Sequence, residues 1–260
     1  MQSIHQLLAI MTQLRNPING CEWDKKQTFD SIKNYTLEET YEVLEAIEQK
    51  DFLELKNELG DLLYQIVFYC ELAREQNLFT FDDVVNAIVN KLINRHPHVF
   101  GEDTTIKPNW ESLKQKERNQ KNQFSLLDDI PKALPALMRA EKVQKRCASV
   151  GFDWNEISPV FEKVAEELDE VKHEIFQDQP NQDKIEEEVG DLLFATVNLS
   201  RHLGLKTELT LNKAIQKFER RFKQIEQYYA KQGKTLDQVS LDDMERVWQQ
   251  VKQTEYSQQP

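Results

Sequence analysis

"EEEVGDLLFA", residues 186–195, is the stretch whose reading decides the fold. Its apolar residues recur at helical spacing, yet a glycine and an aspartate stand where alanine and leucine would be easier. A glycine inside a helix costs roughly 1 kcal/mol relative to alanine. Glu188 and Asp191, three residues apart, share one side of such a helix and repel each other. The same combination returns in "KNELGDLLYQ", residues 56–65, so both costs are accepted twice.

The flanking sequence is duplicated as well. "LEETYEVLEAI" (37–47) aligns with "AEELDEVKHEI" (165–175), setting Glu38, Glu39, Glu42 and Ile47 against Glu166, Glu167, Glu170 and Ile175. "ELGDLLY" (58–64) aligns with "EVGDLLF" (188–194), pairing Glu58 with Glu188 and Asp61 with Asp191. "KLINR" (91–95) and "KFERR" (217–221) share Lys91/Lys217 and Arg95/Arg221. "WESLKQKE" (110–117) and "WQQVKQTE" (248–255) share Trp110/Trp248. Four correspondences in one order indicate two copies of a single unit. Pro131 and Pro135 in "SLLDDIPKALPAL" (125–137) break helical continuation. The expected division is residues 1–125, a linker over 126–136, and residues 137–260.

The chain is expected to be all-α, a tandem of two helical bundles with no significant sheet. Only 7 Gly and 8 Pro among 260 residues leave few places for turns. Leu59, Leu62, Leu63, Ile66, Val67 and Cys70 form one helical stripe, and Val189, Leu192, Leu193, Thr196 and Val197 form its twin. Residues 37–47 are expected to bury Leu37, Thr40, Val43, Leu44 and Ile47, with Glu38, Glu39 and Glu42 along one flank. Glu58 and Asp61 border the other stripe, so two acid rows can face each other. Gly60 and Gly190 are expected to admit a neighbouring backbone at close range.

Bulk composition narrows the function. A net charge of −12 argues against a nucleic-acid polymer as partner, because displacing backbone counterions needs a basic surface. No apolar run approaches the roughly 18 residues of a membrane span, and no signal peptide is evident. Cys21, Cys70 and Cys147 are far apart and fit neither a disulfide framework nor a zinc site, which points to a reduced, cytoplasmic protein. No glycine-rich phosphate loop is present. His96 and His98 occur only in the first copy and read as structural.

Carboxylates converging from two helices destabilise a fold unless a cation neutralises them. Oxygen ligands without nearby His or Cys favour magnesium, with manganese as a possible substitute. Lys217 and Arg221 lie one turn apart, as do Trp248 and Lys252. A guanidinium and an ammonium beside a magnesium site suit a polyphosphate, and an aromatic face suits a base. Two rivals remain: a di-iron carboxylate bundle, which needs Glu-x-x-His pairs where the second acid helix of each copy has Glu58/Asp61 and Glu188/Asp191, and a non-enzymatic helical scaffold.

The order EExxE, then ExxD about twenty residues later, with "GCEWDKKQTF" (20–29), "RHPHVF" (95–100), "VGFDW" (150–154) and "KFERRF" (217–222), resembles the MazG-type nucleoside triphosphate pyrophosphohydrolases. The likeness covers nearly the whole chain. It implies an all-α, magnesium-dependent and usually dimeric enzyme that cleaves a nucleoside triphosphate between the α and β phosphates. It further implies that Glu167, Glu170, Glu188 and Asp191 bind metal. Glu166, Lys184, Glu187, Lys217, Arg220, Arg221 and Trp248 would contact nucleotide, and Glu166 or Glu167 would activate water. Glu38, Glu39, Glu42, Glu58 and Asp61, with Lys91, Arg95 and Trp110, form the corresponding set of the first copy. That copy has Glu54 where the second has Lys184, and Asn94 where it has Arg220. The richer positive charge places the main activity in the second copy; the first is either a second site or a structural partner.

Overall fold

The computed structural model describes residues 3–101 and 125–257, and all regular structure among them is helical. The chain divides into two compact units, Met1–Leu113 and Lys114–Pro260.

In the first unit, α1 (Ile4–Leu14) and a short 3-10 turn (Asp24–Lys26) precede the long helices α2 (Phe29–Gln49) and α3 (Phe52–Glu75). These two form a hairpin, and α4 (Phe81–Arg95) and the short α5 (Pro97–Phe100) follow. Local chemistry fixes the ends. Thr28 accepts from Ser31 N at 3.2 Å to open α2, and Lys50 closes it in the left-handed region at φ 58°. Asp51 then accepts from Leu53 N and Glu54 N, at 3.1 and 3.0 Å, to start α3. Met11, Ile32, Val67, Phe68 and Leu72 form the core, so α1, α2 and α3 share one apolar centre.

The second unit repeats this plan. It contains α6 (Ala136–Ala148), α7 (Ser158–Ile175), α8 (Gln182–His202), α9 (Thr207–Ala230), a 3-10 turn (Leu236–Gln238) and α10 (Leu241–Ser257). The α7–α8 hairpin corresponds to α2–α3, and α6 packs against α8 as α1 packs against α3. Helices α9 and α10 pair through Ile225, Tyr229, Val247 and Val251, flanked by Trp248. The turns over 125–135 are tied to α6, where Arg146 bridges Asp129 at 2.8 Å and donates to Leu126 O at 3.3 Å.

Two packing expectations fail. The apolar stripes are not buried along their whole length. Val67, Cys70 and Val197 are buried, but Leu37, Thr40, Ile47, Leu59, Leu63, Ile66, Val189, Leu193 and Thr196 are exposed within the chain. A stripe about 100° wide or more exceeds what one neighbouring helix covers, so its outer edge remains open. Nor do Gly60 and Gly190 permit close backbone approach, since a Cβ at either position would meet nothing within 4 Å.

Candidate functional site

Each hairpin gathers its acids at one place. In the second unit, Glu167 and Glu170 of α7 and Glu188 of α8 present oxygens within 4.8 Å of one another. In the first, Glu39 of α2 and Glu58 and Asp61 of α3 do the same. Each group uses three of the same four matched positions; the first leaves out Glu42, the second Asp191. Asp191 is exposed and lines a cavity together with Glu167.

Crowding shows in the proton affinities. Partial burial and the charges of Asp61 and Glu42 hold Glu39 above the usual carboxylate range. Glu58 is pushed up to about 7 by desolvation, by a hydrogen bond with Glu54 and by the charges of Glu42, Glu54 and Asp61. Glu170 is raised by desolvation and by Glu167 and Glu188, with Lys163 opposing. The second cluster thus contains an internal counter-charge. Lys163 reaches Glu167 at 2.7 Å and Glu166 at 2.9 Å, and these carboxylates hold its ammonium protonated well above the ordinary lysine range. In the first copy Tyr35 occupies the position matching Lys163. Oxygens of three carboxylates this close fit a hard divalent cation; the clusters contain no thiolate or imidazole that would favour a softer metal.

The remaining expected residues divide between elements. Glu166 is exposed at the edge of the acid group, and Glu187 is exposed on α8. Lys184 is exposed one turn before Glu188 and lies 4.0 Å from Glu174. Lys217, Arg220, Arg221 and Trp248 belong to the α9–α10 pair. Lys217 is exposed, whereas Arg221 is buried, bonds Glu255 at 2.8 Å and lies 5.7 Å from the Trp248 ring centre. Arg220 reaches the same carboxylate at 3.0 Å. Trp248 also packs on Phe218, with centroids 5.1 Å apart, so it anchors the helix pair. In the first unit Glu38 and Glu42 are exposed on α2, Lys91 is exposed on α4, and Arg95 is half-buried at its end. Trp110 lies outside the described residues.

Sequence reading missed a cavity of about 570 Å³ beside the second acid group. Its lining includes Glu167, Asp191 and Lys163 as well as Gln144, Phe152, Trp154, Phe194, Asn198 and Arg201. This volume is within the roughly 300–1,000 Å³ of small-molecule sites. The available signals were "VGFDW" and the polar Asn198 seven residues after Asp191, on the same helical face.

Comparison with known proteins identifies the family of the chain. The model of the MazG nucleotide pyrophosphohydrolase domain matches twice, over residues 27–100 and 157–225. A nucleoside triphosphate pyrophosphohydrolase of Escherichia coli strain K12 is 56% identical over 260 residues, covering 98% of this chain and 99% of that protein. The nucleoside triphosphate pyrophosphohydrolase/pyrophosphatase MazG of Thermotoga maritima is 42% identical, over 95% of this chain and 94% of its own length. A Bacillus subtilis protein, YabN, is also 42% identical over 95% of this chain, which spans 51% of it. With two domain matches and full-length relatives, the chain belongs to the MazG nucleotide pyrophosphohydrolase family.

Proposed function

We infer that the protein is a nucleoside triphosphate pyrophosphohydrolase, converting a triphosphate and water to a monophosphate and pyrophosphate. The carrying observation is the three-carboxylate group Glu167, Glu170 and Glu188, built by a hairpin of this family and repeated at Glu39, Glu58 and Asp61.

Glu167, Glu170, Glu188 and Asp191 would hold magnesium, or manganese in its place. Such an ion offsets charge on phosphate oxygens and lowers the barrier to displacement at phosphorus. Glu166, outside the three-carboxylate group, orients or deprotonates the attacking water, with Glu167 as the alternative base. Lys163 steadies both glutamates. Lys184, Lys217, Arg220 and Arg221 are the cations for the phosphate tail, and the leaving pyrophosphate departs partly neutralised. Arg221 must exchange Glu255 for phosphate to take part. Glu187 and Trp248 complete the proposed nucleotide contacts. The first-copy residues Glu38, Glu39, Glu42, Glu58, Asp61, Lys91, Arg95 and Trp110 are proposed as a second site or its structural remnant.

We further propose a cytoplasmic homodimer. Helix α4 contains no buried residue, and its Ile88, Val89, Leu92 and Ile93 are all exposed within one chain. A contiguous apolar face of this kind marks an interface.

The test is a panel of nucleoside triphosphates with magnesium, measuring pyrophosphate and orthophosphate separately. Pyrophosphate is expected as the product. Asp191→Asn should lower turnover by more than the roughly 10–100-fold typical of losing an outer-shell partner. Full activity in the Asp61→Asn, Asp191→Asn double variant would remove the metal assignment.

A further inference from the structure

We propose that the cavity beside the second acid group is the nucleobase pocket and that Asn198 selects bases with an exocyclic oxygen over those with an amino group. This rests on the pyrophosphohydrolase reading above and extends it to substrate choice.

Asp191 and Asn198 are seven residues apart, two turns along the same face of α8 and about 10 Å along its axis. That span is of the order of a nucleoside's length. A triphosphate at the acids therefore has room for its base near Asn198. Phe152, Trp154 and Phe194 contribute aromatic surface to the cavity, which suits a planar ring.

The polar groups are held in a defined sense. Arg201 is fixed by Asp153 at 2.6 Å, and His202 reaches the same oxygen at 2.9 Å. Arg201 donates to Asn198 Oδ1 through Nε at 3.0 Å and Nη2 at 2.8 Å. With its oxygen committed, the amide of Asn198 offers Nδ2, a pure donor, to the cavity. Opposite chemistry comes from Gln144, only 8% exposed. Its Nε2 donates to Phe194 O at 2.8 Å, while its buried Oε1 has no partner. Both residues line the cavity, so its wall holds a free donor on Asn198 and a buried acceptor on Gln144 that has no protein partner.

The first copy shows what happens when this space is not kept. Asn198 corresponds to Phe68, which is 1% exposed in the core with Met11, Ile32 and Leu72. Ala195 corresponds to the buried Gln65. Phe194 corresponds to Tyr64, whose hydroxyl donates to Asp24 at 3.0 Å and whose ring packs edge-on against Phe68. The duplicated helix can fill this position with a core aromatic. In the second copy it retains a polar cavity, at a cost in packing.

The test measures kcat/KM of the full chain with magnesium for UTP against CTP and for ITP against ATP, pairs that differ as oxo against amino at one ring position. The wild type is expected to prefer UTP and ITP by about tenfold, the scale of one hydrogen bond gained or lost. Asn198→Asp retains an oxygen for Arg201 and turns the donor into an acceptor. It should move both ratios at least about tenfold toward CTP and ATP, mainly through KM. Asn198→Ser, which also serves if the aspartate variant does not fold, should bring both ratios close to one. Asp191→Asn should lower all four rates and leave the ratios in place. Wild-type ratios near one, or ratios unmoved by both Asn198 variants while hydrolysis continues, would overturn the pocket assignment and leave the pyrophosphohydrolase reading intact. No hydrolysis of any triphosphate by the wild type would overturn both.

Discussion

Glu58, pushed up to about 7 chiefly by desolvation and neighbouring acids, carries a prediction about metal-free protein. A carboxyl whose folded pKa exceeds its unfolded value binds more protons when folded. Stability contributed by this group therefore falls as pH rises from about 4.5 to about 7 and is level above that. With chelator present, Glu58→Gln should be more thermostable than wild type at pH 8 and nearly equal to it at pH 4.5, by calorimetry. Lower stability than wild type at pH 8 would refute the crowding. Gly60 and Gly190 allow a second prediction, because a Cβ at either meets open space. Alanine at either position should stabilise the chain by about 1 kcal/mol in denaturant titrations. A destabilised Gly190→Ala would show that something fills that space in solution. The repeated Gly-Asp pair was legible as an anomaly in the sequence. Its reason was not, because a glycine's use depends on what lies opposite it.

At the scale of elements, periodicity and capping residues carried most of the information. Asp51 starts α3 by accepting from two backbone amides, and Asp51→Ala should cost about 1 kcal/mol in thermal or chemical unfolding. Helix α4 makes the contrasting case. Its apolar spacing is that of a packed helix, yet within one chain it has no buried residue. Ile88→Glu should leave helix content by circular dichroism unchanged and reduce the sedimenting mass to that of one chain. An unchanged mass would exclude α4 from the proposed interface. Hydrophobic spacing identifies which face seeks cover without saying which molecule supplies it.

For the molecule as a whole, duplication sets two acid clusters with different electrostatics. The second has Lys163 among its carboxylates, and the first has Tyr35 at that position. Magnesium binding to the folded state should raise the melting temperature, by about 2.7 kcal/mol of stabilisation at a hundred times the dissociation constant. The increase should be larger at pH 8 than at pH 5, where protons compete for Glu39, Glu58 and Glu170. An equal shift at both values would count against carboxylate ligation. The sequence alone determined the helical class, the duplication and the acid spacing, because these depend on residues within a few turns of one another. Tertiary structure alone decided the cavity beside Asp191, the fixed amide of Asn198, the pairing of Arg221 with Glu255 and the exposed outer edges of the apolar stripes. The cavity, the Arg221–Glu255 pair and the open edges depend on how separate helices pack. The Asn198 amide depends on Arg201, a neighbour on its own helix that Asp153 fixes from the loop before α7; no local spacing specifies which of these groups meet.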